Sequence, residues 1–373
     1  MKNKISKITI PFALSLIIAS CSDAPRQETN ETTDSNDPNW SPIKILSLDG
    51  GGIRGIIPAH LLAGIEEETG KRIYELFDIV AGTSAGGIIA LITTTPNDEK
   101  TSSFMSAKEI EEFYFKYAAR IFDYSCNSLV PKAACGLQGP LYKFGSFERL
   151  MKEFGGDKLF KETLKPTLIV TFDIERNQGY SLESDLPLFG NLTKVDVARA
   201  TSAAPTYFAP KILLMKNFEG GTSEHYMVDG VFYKKNPSFL AYHKAIKLFG
   251  AEAVKKRGIL LVSIGTGQPL QNTHDAKELL TAGYAKWAPI AINAIIDGSS
   301  NQDHGLAEDL FQRRPSSKYI RIQSVLDNVK YPEITELDNI SSDNLKVLVA
   351  TAHDTKNTKE YKEAIATLKS ISK

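Results

Sequence analysis

Hydrophobic positions alternate, from residue 43 onward, between short apolar runs and amphipathic stretches. The run Ile43–Leu48 predicts a buried strand, and residues 56–68 predict an amphipathic helix after it. A second apolar run at residues 77–81 predicts another buried strand, and residues 86–91 begin an apolar helix. Two strand–turn–helix units in succession favour an α/β fold, with a parallel sheet whose faces are covered by helices.

The same patterns extend the predicted α/β domain along most of the chain. Further strands are predicted at three places: residues 167–172, 259–264 and 319–322. Between the strands, residues 108–122 carry a helical pattern. We therefore expect one α/β domain at residues 42–325 and a helical extension at residues 326–373 that packs on it.

The first twenty residues follow a different plan. Three lysines precede an apolar run at residues 8–18, and a short stretch then leads to Cys21, as in a secretory signal peptide. The apolar run is shorter than the roughly 20 residues that a membrane-spanning helix needs. We therefore expect residues 1–20 to be removed and the protein to be exported.

Residues 18–21, Ile-Ala-Ser-Cys, resemble the bacterial lipobox. That resemblance implies that Cys21 becomes the lipidated first residue of the mature protein. Cleavage at another bond, which would leave Cys21 as a free thiol, is the alternative. Residues 21–41 hold almost no apolar side chains, so they predict a disordered polar tether. The expected location is a membrane-anchored lipoprotein of a bacterial cell envelope, or a secreted protein.

Composition limits the partners of the folded part. With 42% hydrophobic and 24% charged residues, the 373-residue chain has the balance of an ordinary globular protein. Loss of three lysines with residues 1–20 lowers Lys+Arg from 44 to 41 against 44 Asp+Glu, a net charge of −3, so no nucleic-acid partner is expected. The sequence holds no Cys/His cluster, and neither a metal nor a cofactor is expected. Cys126 and Cys135 either close a disulfide loop or remain two buried thiols.

A G-x-S-x-G motif lies between the second predicted strand and its helix, at Gly82, Thr83, Ser84, Ala85 and Gly86. In this context the motif forms a nucleophile elbow, because the two glycines let the backbone turn sharply and lift the Ser84 hydroxyl clear of the chain. The positive end of the helix dipole stabilises negative charge that forms nearby. The alternative is a glycine-rich turn in which Ser84 only caps the helix.

Consecutive glycines follow the first predicted strand, in the sequence Asp-Gly-Gly-Gly-Ile-Arg-Gly that starts at Asp49. The N–H groups of Gly50, Gly51 and Gly52, which we call the glycine loop, are suited to point together into one anion site, such as an oxyanion hole. Arg54 either adds positive charge beside that site or forms an ordinary surface salt bridge.

The glycine loop, the serine elbow and the dipeptide Asp229-Gly230 resemble, in this order, the motif set of patatin-like phospholipases. The resemblance covers roughly residues 43–270, and Val231 departs from it because many members have a small residue there. It implies a three-layer α/β/α sandwich with a mainly parallel central sheet. It also implies a Ser–Asp dyad, with Ser84 as the nucleophile and Asp229 as the base.

For function, the resemblance implies hydrolysis of fatty-acyl esters, of the phospholipase A or lysophospholipase type. The glycine loop carries over as the oxyanion hole, with Arg54 in the matching basic position. Membrane phospholipids or other acyl lipids are then the expected substrates, and the N-terminal lipid on Cys21 is expected to hold the enzyme at a membrane.

Three alternatives remain open. One is a non-catalytic lipoprotein that binds lipid in the same pocket. Another is a dinucleotide-binding oxidoreductase, because Gly50, Gly52 and Gly55 match G-x-G-x-x-G; however, Glu75 and Asp78 lie too early to be the acidic residue that this fingerprint needs after the second strand. The third is a serine triad, for which the candidate histidines are His60, His225, His243, His274, His304 and His353.

An aromatic-rich stretch follows the elbow helix. It comprises Phe104, Phe113, Tyr114, Phe115, Tyr117, Phe122 and Tyr124. These side chains either line an acyl-chain groove or lid, or pack at helical spacing into the core, and the second role is expected for most of them.

Overall fold

A central sheet of eight strands organises the chain. The computed structural model describes residues 34–371 except residues 36, 38, 128–129, 137–138, 156, 217–220 and 272–275. The strands are β1 (Ile43–Leu48), β2 (Ile79–Thr83), β3 (Thr167–Asp173), β4 (Gln178–Glu183), β5 (Lys211–Lys216), β6 (Thr222–Asp229), β7 (Ile259–Ile264), β8 (Gln268–Pro269), β9 (Lys318–Ile322) and β10 (Val325–Leu326). The order in the sheet is β5-β6-β3-β2-β1-β7-β9, β4 also pairs with β3, and β8 and β10 form a separate short ribbon.

Helices fill the connections between the strands. They are α1 (Ile56–Thr69), α2 (Ile73–Leu76), α3 (Ala85–Thr94), α4 (Ala107–Ile121), α5 (Lys132–Gly136), α6 (Phe144–Gly155), α7 (Lys194–Thr201), α8 (Ser238–Phe249), α9 (Ala251–Arg257), α10 (Ala276–Leu279), α11 (Tyr284–Gln312), α12 (Ser342–Thr355) and α13 (Lys359–Ile371). Short 3-10 turns lie at Gly52–Gly55, Phe160–Glu162, Gly230–Phe232 and Pro332–Thr335. Within the described residues, none of these helices combines the length and the apolar character needed to cross a bilayer.

Successive side chains of a strand point to opposite faces of the sheet, and in the central strands the side chains on both faces are buried. In β1, Ile43 and Ile45 belong to a core shared with α8, α9 and α11, whereas Leu46 and Leu48 belong to a larger core shared with α1, α3, α4, α7, α12 and α13. The sheet therefore lies between two helical layers. The predicted α/β class, with parallel strands at the centre of the sheet, is confirmed.

Strand β3 determines where the site forms. One edge of β3 pairs with β4 from Leu168 to Asp173. Two strands share the other edge. Strand β2 pairs with β3 as far as Thr83↔Val170, and pairing with β6 starts at the next residue of β3, with Thr171↔Asp229. Because one strand residue rises about 3.3 Å, the ends of β2 and β6 meet on this edge. Ser84 follows β2 directly, and so it lies beside Asp229.

Most predicted elements agree with the structure in type, with shifts at their ends. The strand predicted at residues 77–81 is found at Ile79–Thr83, because the Phe77 N–H still bonds to the Ile73 carbonyl of α2 and sheet pairing starts at Ile79. Helices α12 and α13 lie in the predicted C-terminal extension, where Leu345, Leu348 and Leu368 join the larger core. The predicted signal, Cys21 and most of the predicted tether lie outside the described residues.

Candidate active site

Ser84 occupies a sharp turn between β2 and α3. Its backbone has φ +52° and ψ −123°, a positive φ that L-residues rarely adopt. The turn requires glycine on both sides: a Cβ on Gly82 would lie 2.3 Å from the Gly86 carbonyl oxygen, and a Cβ on Gly86 would lie 2.5 Å from that of Leu48. This strained conformation places the Ser84 hydroxyl at the N-terminus of α3, as the elbow motif predicts.

Asp229 is the hydrogen-bond partner of the Ser84 hydroxyl. Ser84 Oγ donates to Asp229 Oδ2 over 2.7 Å, and the Val231 N–H donates to the other carboxylate oxygen over 3.0 Å. The Asp229 N–H is held by the Ala203 carbonyl at 3.0 Å. Burial raises the pKa of Asp229 to about 7, and the hydrogen bonds from Ser84 and Val231 oppose that rise. The carboxyl group is therefore a base suited to near-neutral pH.

The glycine loop faces this pair, but its three amides are not equivalent. The Gly50 N–H already donates to the Lys235 carbonyl at 3.1 Å, and the Gly50 carbonyl accepts from Thr266 Oγ1 at 2.8 Å. Gly50 lines the cavity, but its amide is engaged, which corrects the prediction that all three glycines donate. Among the described residues, no acceptor is found for the N–H groups of Gly51 and Gly52. These two amides are the available donors.

Arg54 is buried rather than on the surface, with 4% of its area exposed. It lines the cavity together with Lys235 and Asp297, and Lys235 Nζ donates to Asp297 Oδ1 at 2.5 Å. Within the described residues, Arg54 Nε has no hydrogen-bond partner. Burial lowers the pKa of both cations, and Asp297 opposes that effect. The positive end of the cavity therefore lies beside the glycine loop, and Lys235 and Asp297 were not identified from the sequence.

A cavity of about 240 Å³ opens onto Ser84 and Asp229. Its walls are mostly apolar and include three of the predicted aromatic residues, Phe113, Tyr114 and Phe122. By contrast, the Phe115 side chain is 44% exposed on the surface of α4. Segment 203–208 also contributes Ala204, Pro205, Tyr207 and Phe208. The cavity thus combines a polar end at the Ser–Asp pair with walls suited to a hydrocarbon chain.

Two candidate histidines that lie near the motifs in sequence have other partners. His60 Nδ1 lies 3.0 Å from Glu111, and His225 Nδ1 lies 2.8 Å from buried Asp173. Neither histidine lines the cavity. Within the described residues, no group of three or more potential metal ligands is close enough to hold an ion. The group that accepts the hydrogen bond from the Ser84 hydroxyl is therefore a carboxylate, not an imidazole.

Thr201 is a site residue that the sequence analysis missed. Its hydroxyl accepts from the Ser84 N–H at 2.8 Å and donates to the Val170 carbonyl at 2.6 Å. The hydroxyl thereby links α7, the elbow and β3, and it fixes the backbone from which the Ser84 side chain projects. No local pattern indicates this role, because Thr201 lies 117 residues from its partner.

Comparisons with known proteins show which family the chain resembles. The family described as patatin-like phospholipase matches residues 46–242. The chain is 31% identical over 341 residues to Patatin-like protein 2 of Arabidopsis thaliana, covering 84% of this chain and 82% of that protein. It is 30% identical over 335 residues to Patatin-2-Kuras 3 of Solanum tuberosum, covering 82% of each. The solved structure of VipD from Legionella pneumophila is similar with a TM-score of 0.42 and 12% identity, over 88% of this chain and 67% of that one. Because the family match and the plant relatives each span more than half of the sequence, this chain belongs to the patatin-like phospholipase family.

Proposed function

We propose that this protein hydrolyses fatty-acyl esters of membrane lipids through a covalent acyl-enzyme on Ser84, with Asp229 as the general base. Membership of the family supports lipid acyl hydrolase activity. The observation that carries the finer proposal is the 2.7 Å hydrogen bond between Ser84 Oγ and a buried carboxylate at the end of an apolar cavity. A lipid-binding protein without catalysis has no need of a strained serine paired in this way.

The proposed reaction has two halves. Ser84 Oγ attacks the ester carbonyl while its proton moves to Asp229, and the carbonyl oxygen gains negative charge that the N–H groups of Gly51 and Gly52 stabilise. The tetrahedral intermediate collapses, and Asp229 returns the proton to the departing alcohol. A water molecule then loses a proton to Asp229 and attacks the acyl-Ser84 ester. As this second tetrahedral intermediate collapses, Asp229 returns the proton to Ser84 Oγ, and the fatty acid is released.

The test is release of free fatty acid from mixed phospholipid vesicles by purified residues 22–373, with chelator present. Activity is expected in the parent protein and is expected to fall by at least about a hundredfold in Ser84→Ala and Asp229→Asn. Ser146→Ala is a matched control, since Ser146 Oγ also donates to an aspartate, Asp123, but does not line the cavity.

The parent protein and the three variants together distinguish the possible outcomes. Loss of activity in the two dyad variants and its retention in the control support the proposal. Loss in all three points to a folding defect, which circular dichroism distinguishes. If the parent protein releases no fatty acid from vesicles or from simple esters, the lipid-binding function replaces the proposal.

We further propose that the mature protein is exported and tethered to a membrane through a lipid on Cys21. The signal-like residues 1–20 and the polar residues 21–41 support this location. The disulfide between Cys126 and Cys135 also supports it, because disulfides persist in oxidising compartments. Cys21→Ala in the full chain is expected to move the protein from the membrane fraction to the soluble fraction of expressing cells, without loss of ester hydrolysis. An unchanged membrane fraction contradicts the tether.

A further inference from the structure

Two cavities meet at one face of α3. The active-site cavity of about 240 Å³ lies on one side, and a smaller cavity of about 30 Å³ lies on the other. Ile88 and Ile92 line both cavities, whereas Ile89 lines only the first and Leu91 only the second. Two isoleucine side chains therefore separate the space that contains Ser84 from a second space in the protein.

Helix geometry puts Ser84 and these isoleucines in one row. Ser84 caps α3, and Ile88 and Ile92 follow at steps of four residues, so the three side chains lie on the same side of the helix. At 1.5 Å per residue, Ile92 lies about 12 Å along the helix axis from Ser84. A hydrocarbon chain that is esterified to Ser84 and runs along this face reaches Ile88 first and Ile92 next.

The far cavity continues the apolar character of the first. Its lining includes Leu91, Phe104, Met151 and Val195. The one cation in that lining, Lys194, is 4% exposed, and its Nζ donates to the Glu162 carbonyl at 3.3 Å. Burial lowers the pKa of Lys194 to about 7, so this amine carries its charge only in part at neutral pH. Because most of its lining is apolar, the far cavity is suited to methylene groups.

We propose that Ile88 and Ile92 form the end wall of the acyl-chain pocket and set the length of the fatty-acyl chain that the enzyme prefers. The small cavity behind them is the blocked continuation of that pocket. This inference rests on the proposed hydrolysis of acyl esters, and it identifies the specificity-determining residues of the same site. The pocket then holds one fatty-acyl chain, and the terminal methyl group of that acyl chain packs against Ile92.

The test is a chain-length series of p-nitrophenyl esters, from butyrate to stearate. In Ile92→Ala the wall is opened, and the chain length of highest kcat/KM is expected to move to longer esters, with a gain of about fourfold for each further methylene that enters. Ile92→Trp is expected to move it to shorter esters. Leu91→Ala is the matched control, because it removes the same number of carbons from the neighbouring position but lines only the far cavity.

A second readout separates this proposal from the proposed function. Saturated fatty acids of increasing length compete with a fluorescent fatty acid for the Ser84→Ala protein, with and without the wall substitutions. If the parent protein hydrolyses no ester, the proposed function fails. The fatty-acid binding series then tests on its own whether Ile88 and Ile92 limit the length of the bound chain. Ile92→Val, which removes one methyl group, replaces Ile92→Ala if that variant does not fold. Identical length preferences in the parent protein and the folded Ile92 variants overturn the proposal.

Discussion

At the scale of single residues, the site depends on how the surroundings of one carboxyl group change its acidity. An exposed aspartate with a pKa near 4 is a weak base towards a serine hydroxyl. Asp229 is 3% exposed, and among the described residues no cation is bonded to its carboxylate, so burial dominates and raises the pKa to about 7. In the proposed mechanism, a single carboxylate takes the role that a histidine has in a serine triad.

The first prediction is the pH dependence of catalysis. Because Asp229 must be ionised to accept the Ser84 proton, kcat/KM for a soluble ester is expected to rise as the pH increases through about 7 and to level off above it. The measurement is a pH–rate profile with p-nitrophenyl butyrate, corrected for spontaneous hydrolysis. A profile that stays flat down to about pH 4, the ordinary range for aspartate, contradicts the role of burial.

The second prediction concerns stability. The pKa of Asp229 is raised from 3.8 when unfolded to about 7 when folded, so between these values the folded state binds a proton that the unfolded state has lost. The free energy of unfolding therefore falls as the pH rises through this window. Asp229→Asn removes the buried charge: its amide oxygen still accepts from the Val231 N–H, whereas its NH2 group donates to Ser84 Oγ instead of accepting from it. This variant is expected to be more stable than the parent protein at pH 8, by at most about 4 kcal/mol.

Urea denaturation at several pH values measures this difference. The advantage of Asp229→Asn is expected to disappear as the pH approaches the ordinary pKa of aspartate, where the carboxyl group is protonated in both states. A pH-independent difference would show instead that the amide changes packing, not ionisation.

At the scale of secondary-structure elements, the site is built where β1, β2, β6 and α3 converge. Gly86 in α3 approaches the end of β1 closely, since the Leu48 and Asp49 carbonyl oxygens would lie 2.5 and 2.6 Å from an added Cβ. The atoms that an added Cβ would meet belong to the backbone, so no flexible side chain can move aside to make room for it. The helix that presents Ser84 is therefore held against the strand that leads into the glycine loop.

The third prediction follows from that contact. Gly86→Ala is expected to push α3 from β1, to destabilise the fold by about 1–3 kcal/mol and to lower kcat far more than it raises KM, because it displaces Ser84 from the glycine loop. Gly305→Ala in α11 is the control: an added Cβ there meets nothing within 4 Å, and alanine is expected to stabilise the helix by about 1 kcal/mol. Thermal denaturation and steady-state kinetics measure both. Equal effects at Gly86 and Gly305 would show that the close contact between α3 and β1 does not require glycine at position 86.

The same scale shows what the sequence pattern predicts and what it does not. The central strands and the elbow were predictable because β1, β2 and β7 are continuous apolar runs and the elbow glycines adjoin Ser84. The antiparallel strands β4, β5 and β6 were not identified, since each carries exposed polar residues and forms no continuous apolar run. The engagement of the Gly50 amide was equally hidden, because its acceptor, the Lys235 carbonyl, lies far along the chain.

At the scale of the whole molecule, the C-terminal part of the chain completes the site. The Leu337 carbonyl accepts from the Ile53 N–H at 2.8 Å, directly after the glycine loop, and Leu337 also lines the active-site cavity. Asp338 accepts from the Tyr142 hydroxyl and pairs with Lys132 of α5, within the disulfide loop. Residues after 325 therefore line the active-site cavity itself, and their removal is expected to impair ester hydrolysis.

A buried ion pair between Asp49 and Arg321 links the glycine loop to strand β9. Two nitrogens of Arg321 donate to the two carboxylate oxygens of Asp49 at 2.8 and 2.6 Å, and Ser300 adds a third donor at 3.1 Å. Asp49 is fully buried and immediately precedes Gly50. Removing one partner of such a pair leaves the other charge buried without compensation, whereas replacing both removes that penalty.

The last prediction is that Arg321→Met lowers the free energy of unfolding by about 3–5 kcal/mol, and that adding Asp49→Asn to it restores part of the loss. The exposed pair Arg313–Asp309, four residues apart at the C-terminal end of α11, is the matched control, and Arg313→Met is expected to cost no more than about 0.5 kcal/mol. Urea denaturation of the single and double variants measures each value. Since Asp49 adjoins the glycine loop, kcat of Arg321→Met is expected to fall as well. A stability loss as small as that of the control would show that the buried pair does not hold β9 to the site.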